Sequence, residues 1–123
     1  MARKISRKGW VRKLDKLCGD IVKVRDGLCV CCGSKSSLTP GHLFSRVAYS
    51  TRWDLENIYC QCLSCNLRHE YDPYPLTNYF IEIRGRKKLD DLHRRYVTPR
   101  KFKDFQLQEL YEELEEVENV QKA

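Results

Sequence analysis

The amino-acid sequence predicts an α+β fold: a small metal-braced core of two short strands and a helix, flanked by N- and C-terminal helices. Three observations carry that expectation. Two Cys-x-x-Cys pairs, Cys29/Cys32 and Cys62/Cys65, are separated by 29 residues. Apolar residues recur at helical spacing near both ends of the chain. Between them, the apolar runs are short and broken by Pro and Gly, as strands and turns require.

Taken in order, Ser6 is placed to cap a helix running to Arg25, with Trp10, Leu14, Leu17, Ile21 and Val24 on one face at 4-3-4-3 spacing. Asp26-Gly27 ends it. A tight cysteine-rich turn spans Leu28 to Gly33, followed by a polar loop. Leu38 to Ser45 contains a strand, with Pro40-Gly41 demanding an edge position or a bend. Residues 46–56 read as irregular, and Asn57 to Gln61 as a second short strand. A helix begins near Leu63 and ends before Asp72-Pro73. Pro73 and Pro75 form a hinge into a helix over 77–83, Gly85 breaks it, and 87–96 is the next helix. Thr98-Pro99 reads as the start of the last helix, whose Leu107, Leu110, Leu114 and Val117 form its apolar stripe. This final helix is expected to pack on the first within the chain. The division is a basic arm and helix over 1–25, a zinc-braced core over 26–76 and a helical region over 77–123.

Charge is segregated. Residues 1–25 hold nine Lys/Arg against two acids, and residues 84–103 hold nine against two, a net of +7 each. The segment 26–83 nets −2 and the tail 104–123 nets −6. Two basic blocks around a near-neutral centre point to a polyanion, with nucleic acid the first candidate. No apolar run approaches the ~20 residues of a membrane span. The N-terminus is basic with no apolar stretch behind it, so a secretory signal is not expected and the expected location is the cytoplasm. In that reducing compartment, seven cysteines read as metal ligands and free thiols rather than disulfides.

Two thiolate pairs can close a tetrahedral zinc site with Zn–S of ~2.3 Å. Cys29, Cys32, Cys62 and Cys65 are the expected ligands, although Cys31 can replace either member of the first pair and Cys60 competes with Cys62. Gly33, just past Cys32, suits the left-handed backbone of such a knuckle. Cys18 reads as a small buried residue. An all-thiolate site leaves no open position, so this zinc is structural and any chemistry lies elsewhere.

Between and beside the pairs stand Pro40-Gly41-His42, Arg52-Trp53-Asp54-Leu55-Glu56-Asn57-Ile58 and Gln61-Cys62-Leu63-Ser64-Cys65-Asn66. This ordered set resembles HNH nucleases whose ββα-metal core is braced by zinc. It is more closely similar to the phage lambda NinG/Rap recombination family, with the likeness spanning residues 10–118. The resemblance implies a metal-dependent endonuclease acting on branched recombination intermediates, Holliday junctions and D-loops, in a host cell's cytoplasm. His42 would be the general base. Asn57 would orient the imidazole or brace its loop. Asn66 would ligate a divalent cation, Mg²⁺ or Mn²⁺, through its amide oxygen.

One position departs from the common HNH pattern: Gly41 stands where an acid or histidine ligand usually precedes the base. His69 and Glu70, three and four residues beyond Asn66, are candidates for a second ligand. Arg46 and Arg52 are expected near the scissile phosphate, and Arg3, Lys4, Arg7 and Lys8 along the DNA backbone. Trp53, Tyr71, Tyr74 and Tyr79 read first as core residues. A homodimer would match the symmetry of a four-way junction. The alternatives are a non-enzymatic zinc-containing DNA-binding adaptor, or an HNH nuclease for nicked, single-stranded or site-specific DNA.

Overall fold

The computed structural model describes residues 4–123, so the Arg3 expectation lies outside the described residues. Helix α1 (Arg7–Asp26) starts at Ser6, whose hydroxyl accepts the Gly9 N–H at 3.1 Å, and stops at Gly27, which takes φ +73°. Strand β1 (Leu38–His42) pairs antiparallel with β2 (Ile58–Cys62), Leu38 opposite Cys62 and His42 opposite Ile58. The loop between them contains one helical turn, α2 (Tyr49–Arg52), where irregular backbone was expected. Helix α3 (Leu63–His69) follows β2 directly, then α4 (Tyr74–Arg84), α5 (Arg86–Val97) and α6 (Asp104–Lys122). The architecture is α+β, mostly helical, with a single two-stranded sheet among the described residues.

All five residues of β2 are buried, and their alternation serves two cores. Ile58 and Cys60 join Leu14, Ile21, Leu107 and Leu114 of the terminal helices. Tyr59 joins Leu76, Phe80 and Leu92 from α4 and α5. Each such fully buried side chain stabilises the fold by about 1.5–3 kcal/mol. The 26–76 segment is therefore covered from both flanks.

Helices α1 and α6 run parallel, basic against acidic. Arg7 meets Asp104 at their starts, Trp10 stacks obliquely on Tyr111 at 5.7 Å, and Gln121 donates to the Ile21 carbonyl near their ends. The stripe of α1 differs from expectation at one place. Val24 is exposed and Val22 is buried instead, while Cys18 is buried as expected, because α1 lies between α6 and the sheet and so buries a wider face.

Two helix starts also differ. Pro75 sits inside the first turn of α4, where it has no N–H to lose, so that helix begins at Tyr74. Pro99 does not start α6. Thr98 caps α5, donating its hydroxyl to the Arg94 carbonyl at 2.7 Å. The chain then runs non-helical to Lys103, which lets Phe102 bury its ring edge-on against Trp53 at 5.7 Å.

Candidate metal centre and adjoining cleft

The sulfur atoms of Cys29, Cys32, Cys62 and Cys65 all lie within 4.8 Å of one another, an arrangement that fits a structural zinc. The first knuckle closes through Gly33 N–H to the Cys29 carbonyl at 2.8 Å, with Gly33 at φ +80°. The second starts α3: Cys62 caps it, its sulfur accepting the Cys65 N–H at 3.5 Å. Cys31 turns away to accept from Gln61 at 3.4 Å, Cys60 lies in the α1/α6 core, and Cys18 is buried there too. Burial raises the Cys29 thiol, but the backbone N–H groups of Cys62, Cys32 and Cys31 outweigh it and bring it to about 6. Burial and the neighbouring sulfurs push Cys65 up. Four thiolates this close require a cation to offset their charge.

The other end of the sheet opens on a cleft of about 550 Å³ lined by His42, Asn66, His69, Glu70, Arg46 and Arg52 among others. His42, the last residue of β1, places Nε2 2.9 Å from the Arg52 carbonyl. A carbonyl only accepts, so Nε2 carries the proton and Nδ1 the lone pair. Burial holds the His42 pKa below its ordinary value, despite the opposing hydrogen bond to Arg52, so the ring is neutral near pH 7. Asn66 donates Nδ2 to Thr39 Oγ1 at 3.0 Å, which leaves its amide oxygen as the remaining polar atom.

Asn57 is fully buried and braces the loop rather than the imidazole. Its Oδ1 accepts from Phe44 N–H at 2.8 Å, and its Nδ2 donates to the Phe44 and Thr51 carbonyls at 3.0 Å each. His69 places Nε2 2.9 Å from the Leu43 carbonyl, which ties α3 to the residue after His42, and its Nδ1 is buried without a partner. Glu70 is the exposed carboxylate at the rim. Gly41 leaves room for a neighbour: a Cβ there would stand 1.8 Å from Oε1 of the buried Gln61, so a side-chain ligand at that position would have to displace Gln61.

The arginines divide. Arg52 is 12% exposed and bonds Asp15 through Nε (3.0 Å) and Nη2 (2.7 Å), whereas Arg46 is 61% exposed and touches Asp15 at 3.4 Å. Arg7, expected on DNA, instead donates to the Phe102 carbonyl at 2.7 Å and to Asp104, pinning α1 to α6. Lys4 and Lys8 are exposed. Trp53 is in the core and Tyr79 packs edge-on against Tyr59, but Tyr71 and Tyr74 are exposed, contrary to the core reading. Sequence reasoning missed Asp15 and Thr39. The only signal for Asp15 was its place beside the apolar stripe, as one of two acids against nine Lys/Arg over residues 1–25.

Among the described residues, no helix is long and apolar enough to cross a membrane. No curated protein and no solved structure matches the chain. The family described as bacteriophage lambda NinG protein matches residues 2–122, and the chain belongs to that family.

Proposed function

We propose that this protein is a divalent-metal-dependent, HNH-type DNA endonuclease that hydrolyses phosphodiesters in branched recombination intermediates, Holliday junctions and D-loops. The observation that carries the reading is the His42 end of the cleft: a neutral imidazole at the end of β1, its Nε2–H fixed by the Arg52 carbonyl and its Nδ1 left with the lone pair, lining the same cleft as Asn66. The family membership and the cysteine cluster support it.

In this mechanism, His42 Nδ1 takes the proton of the attacking water, and the Arg52 carbonyl steadies the imidazolium that results. Arg46, at the rim, meets the phosphate. The oxygen donors of the cleft, the Asn66 amide and the Glu70 carboxylate, suit a hard cation. Mg²⁺ or Mn²⁺ held there would stabilise charge on the phosphoryl and leaving oxygens.

The adaptor reading draws on one observation: among the described residues, the four cysteines are the only group of three or more His, Cys, Asp or Glu placed to hold a metal. Incubating the protein with labelled junction, D-loop, nicked, single-stranded and linear duplex DNA separates the readings. Cleavage of junction or D-loop, dependent on Mg²⁺ or Mn²⁺, is expected. Its acid limb should lie below the ordinary histidine value of ~6.5, because a base with a lowered pKa stays unprotonated further into acid. Binding without cleavage under every metal condition identifies the adaptor, and cleavage confined to nicked, single-stranded or linear DNA identifies the other nuclease.

A further inference from the structure

We propose that Asp15 of α1 is a positioning residue: it holds Arg52 so that the Arg52 carbonyl selects the Nε2–H tautomer of His42. The inference rests on His42 being the base. The β-β-α unit that carries His42 contributes no side chain to orient it, since Asn57 is bonded to Phe44 and Thr51. The partner of Nε2 is a main-chain oxygen, and a main-chain oxygen is only as well placed as the loop that carries it.

That loop is fastened by the N-terminal helix. Asp15 accepts Arg52 Nε at 3.0 Å and Trp53 Nε1 at 2.8 Å on Oδ1, and Arg52 Nη2 at 2.7 Å on Oδ2. A bidentate guanidinium–carboxylate pair fixes direction as well as distance. One turn later, Cys18 lies 3.9 Å from the Trp53 carbonyl. On the other side of Arg52, the Thr51 carbonyl is held by Asn57. The Arg52 peptide is therefore gripped from both neighbours, and the grip on its C-terminal side comes from α1. Arg46, reaching the same carboxylate at 3.4 Å from an exposed position, adds little to it.

The test reads the imidazole itself, so it does not depend on cleavage. Nitrogen NMR shifts of His42 in the ¹⁵N-labelled, zinc-loaded chain, assigned by their loss in His42→Gln, should be widely separated, as one fixed tautomer requires. In Asp15→Asn they should move toward each other as the second tautomer becomes populated, while Lys16→Ala, which removes an exposed partner of Asp20 on the same helix, should leave them unchanged. If Asp15→Asn fails to hold zinc, Arg52→Lys gives the same reading, because an ammonium lacks the planar fork that makes two parallel bonds to the carboxylate. Single-turnover cleavage by either folded variant should fall by about 10²-fold with DNA binding retained. Wild-type nitrogen shifts in a folded Asp15→Asn or Arg52→Lys protein would overturn the proposal. Should the wild-type chain cut no DNA while the shifts still depend on Asp15, the endonuclease reading fails and the positioning role stands. Should the wild-type chain cut DNA and the shifts not depend on Asp15, only the positioning role fails.

Discussion

The two ends of one β-ladder do opposite things with the same physical effect. At the Leu38–Cys62 end, burial acts on thiols; at the His42–Ile58 end, it acts on an imidazole. Burial disfavours the charged form in both cases. For Cys65 this raises the pKa, and the thiol cluster is stable as thiolates only around a cation. For His42 it lowers the pKa, and the result is a ring that stays neutral with a lone pair available. The sulfur end is closed and holds the knuckles together. The nitrogen-and-oxygen end is open and lined by an imidazole, an amide and a carboxylate. Helix α3 joins them, beginning on Cys62 and Cys65 and carrying Asn66 next in line.

This contrast breaks first at the sulfur end. Replacing Cys62 or Cys65 by Ser should abolish stoichiometric zinc and the cooperative melt together, since structural zinc in such small sites supplies about 10–16 kcal/mol of apparent binding free energy that is also folding free energy. Metal analysis and calorimetry read both; stoichiometric zinc with an unchanged melt in Cys62→Ser would exclude that ligand.

A smaller, graded effect belongs to the open end. Asn57→Ala removes three hydrogen bonds from a buried loop and strands the Phe44 N–H and two carbonyls. The denaturant midpoint should fall by the equivalent of about 3 kcal/mol, with zinc retained because no sulfur is touched. A midpoint at the wild-type value would remove Asn57 from the bracing role.

Smallest in stability, but separable in binding, is the basic arm. Neutralising Lys4 and Lys8 should leave the melt alone and weaken binding to every DNA, reducing the log–log salt slope by about 1.8 if each makes one phosphate contact. Arg7→Ala should do the reverse, lowering the melt through the lost Phe102 carbonyl bond while the slope stays put. A slope unchanged by the Lys4/Lys8 substitutions places the arm away from DNA.

Much of this was legible in the residues, and the exceptions share a cause. The residue pattern placed the second strand to within one residue at each end, left the first only as a strand somewhere within Leu38 to Ser45, and brought the right cysteines into two pairs. Periodicity found the core face of α1 up to Ile21, then failed at Val24, because the width of a buried stripe depends on how many elements cover the helix. Pro99 looked like a helix start, yet Phe102 needed a longer non-helical approach to reach Trp53, and tertiary packing overrode the local signal. Of the candidate site, the part made of side chains in sequence order could be brought together from the residues: His42 and Asn66 line one cleft. It was unreadable where the partner is main chain, as with the Arg52 and Leu43 carbonyls, or where it comes from a distant helix, as with Asp15. No residue pattern marks a carbonyl.

Whether His42 is the base of a nuclease site is read by single-turnover junction cleavage with His42→Ala across a Mg²⁺ titration. The variant should keep its zinc, bind junction DNA and cut about 10²–10⁴-fold more slowly at every Mg²⁺ concentration. An Asn66→Ala protein in the same titration should instead recover part of its rate at high Mg²⁺ or with Mn²⁺. Cutting by His42→Ala at the wild-type rate would mean that His42 is not the base.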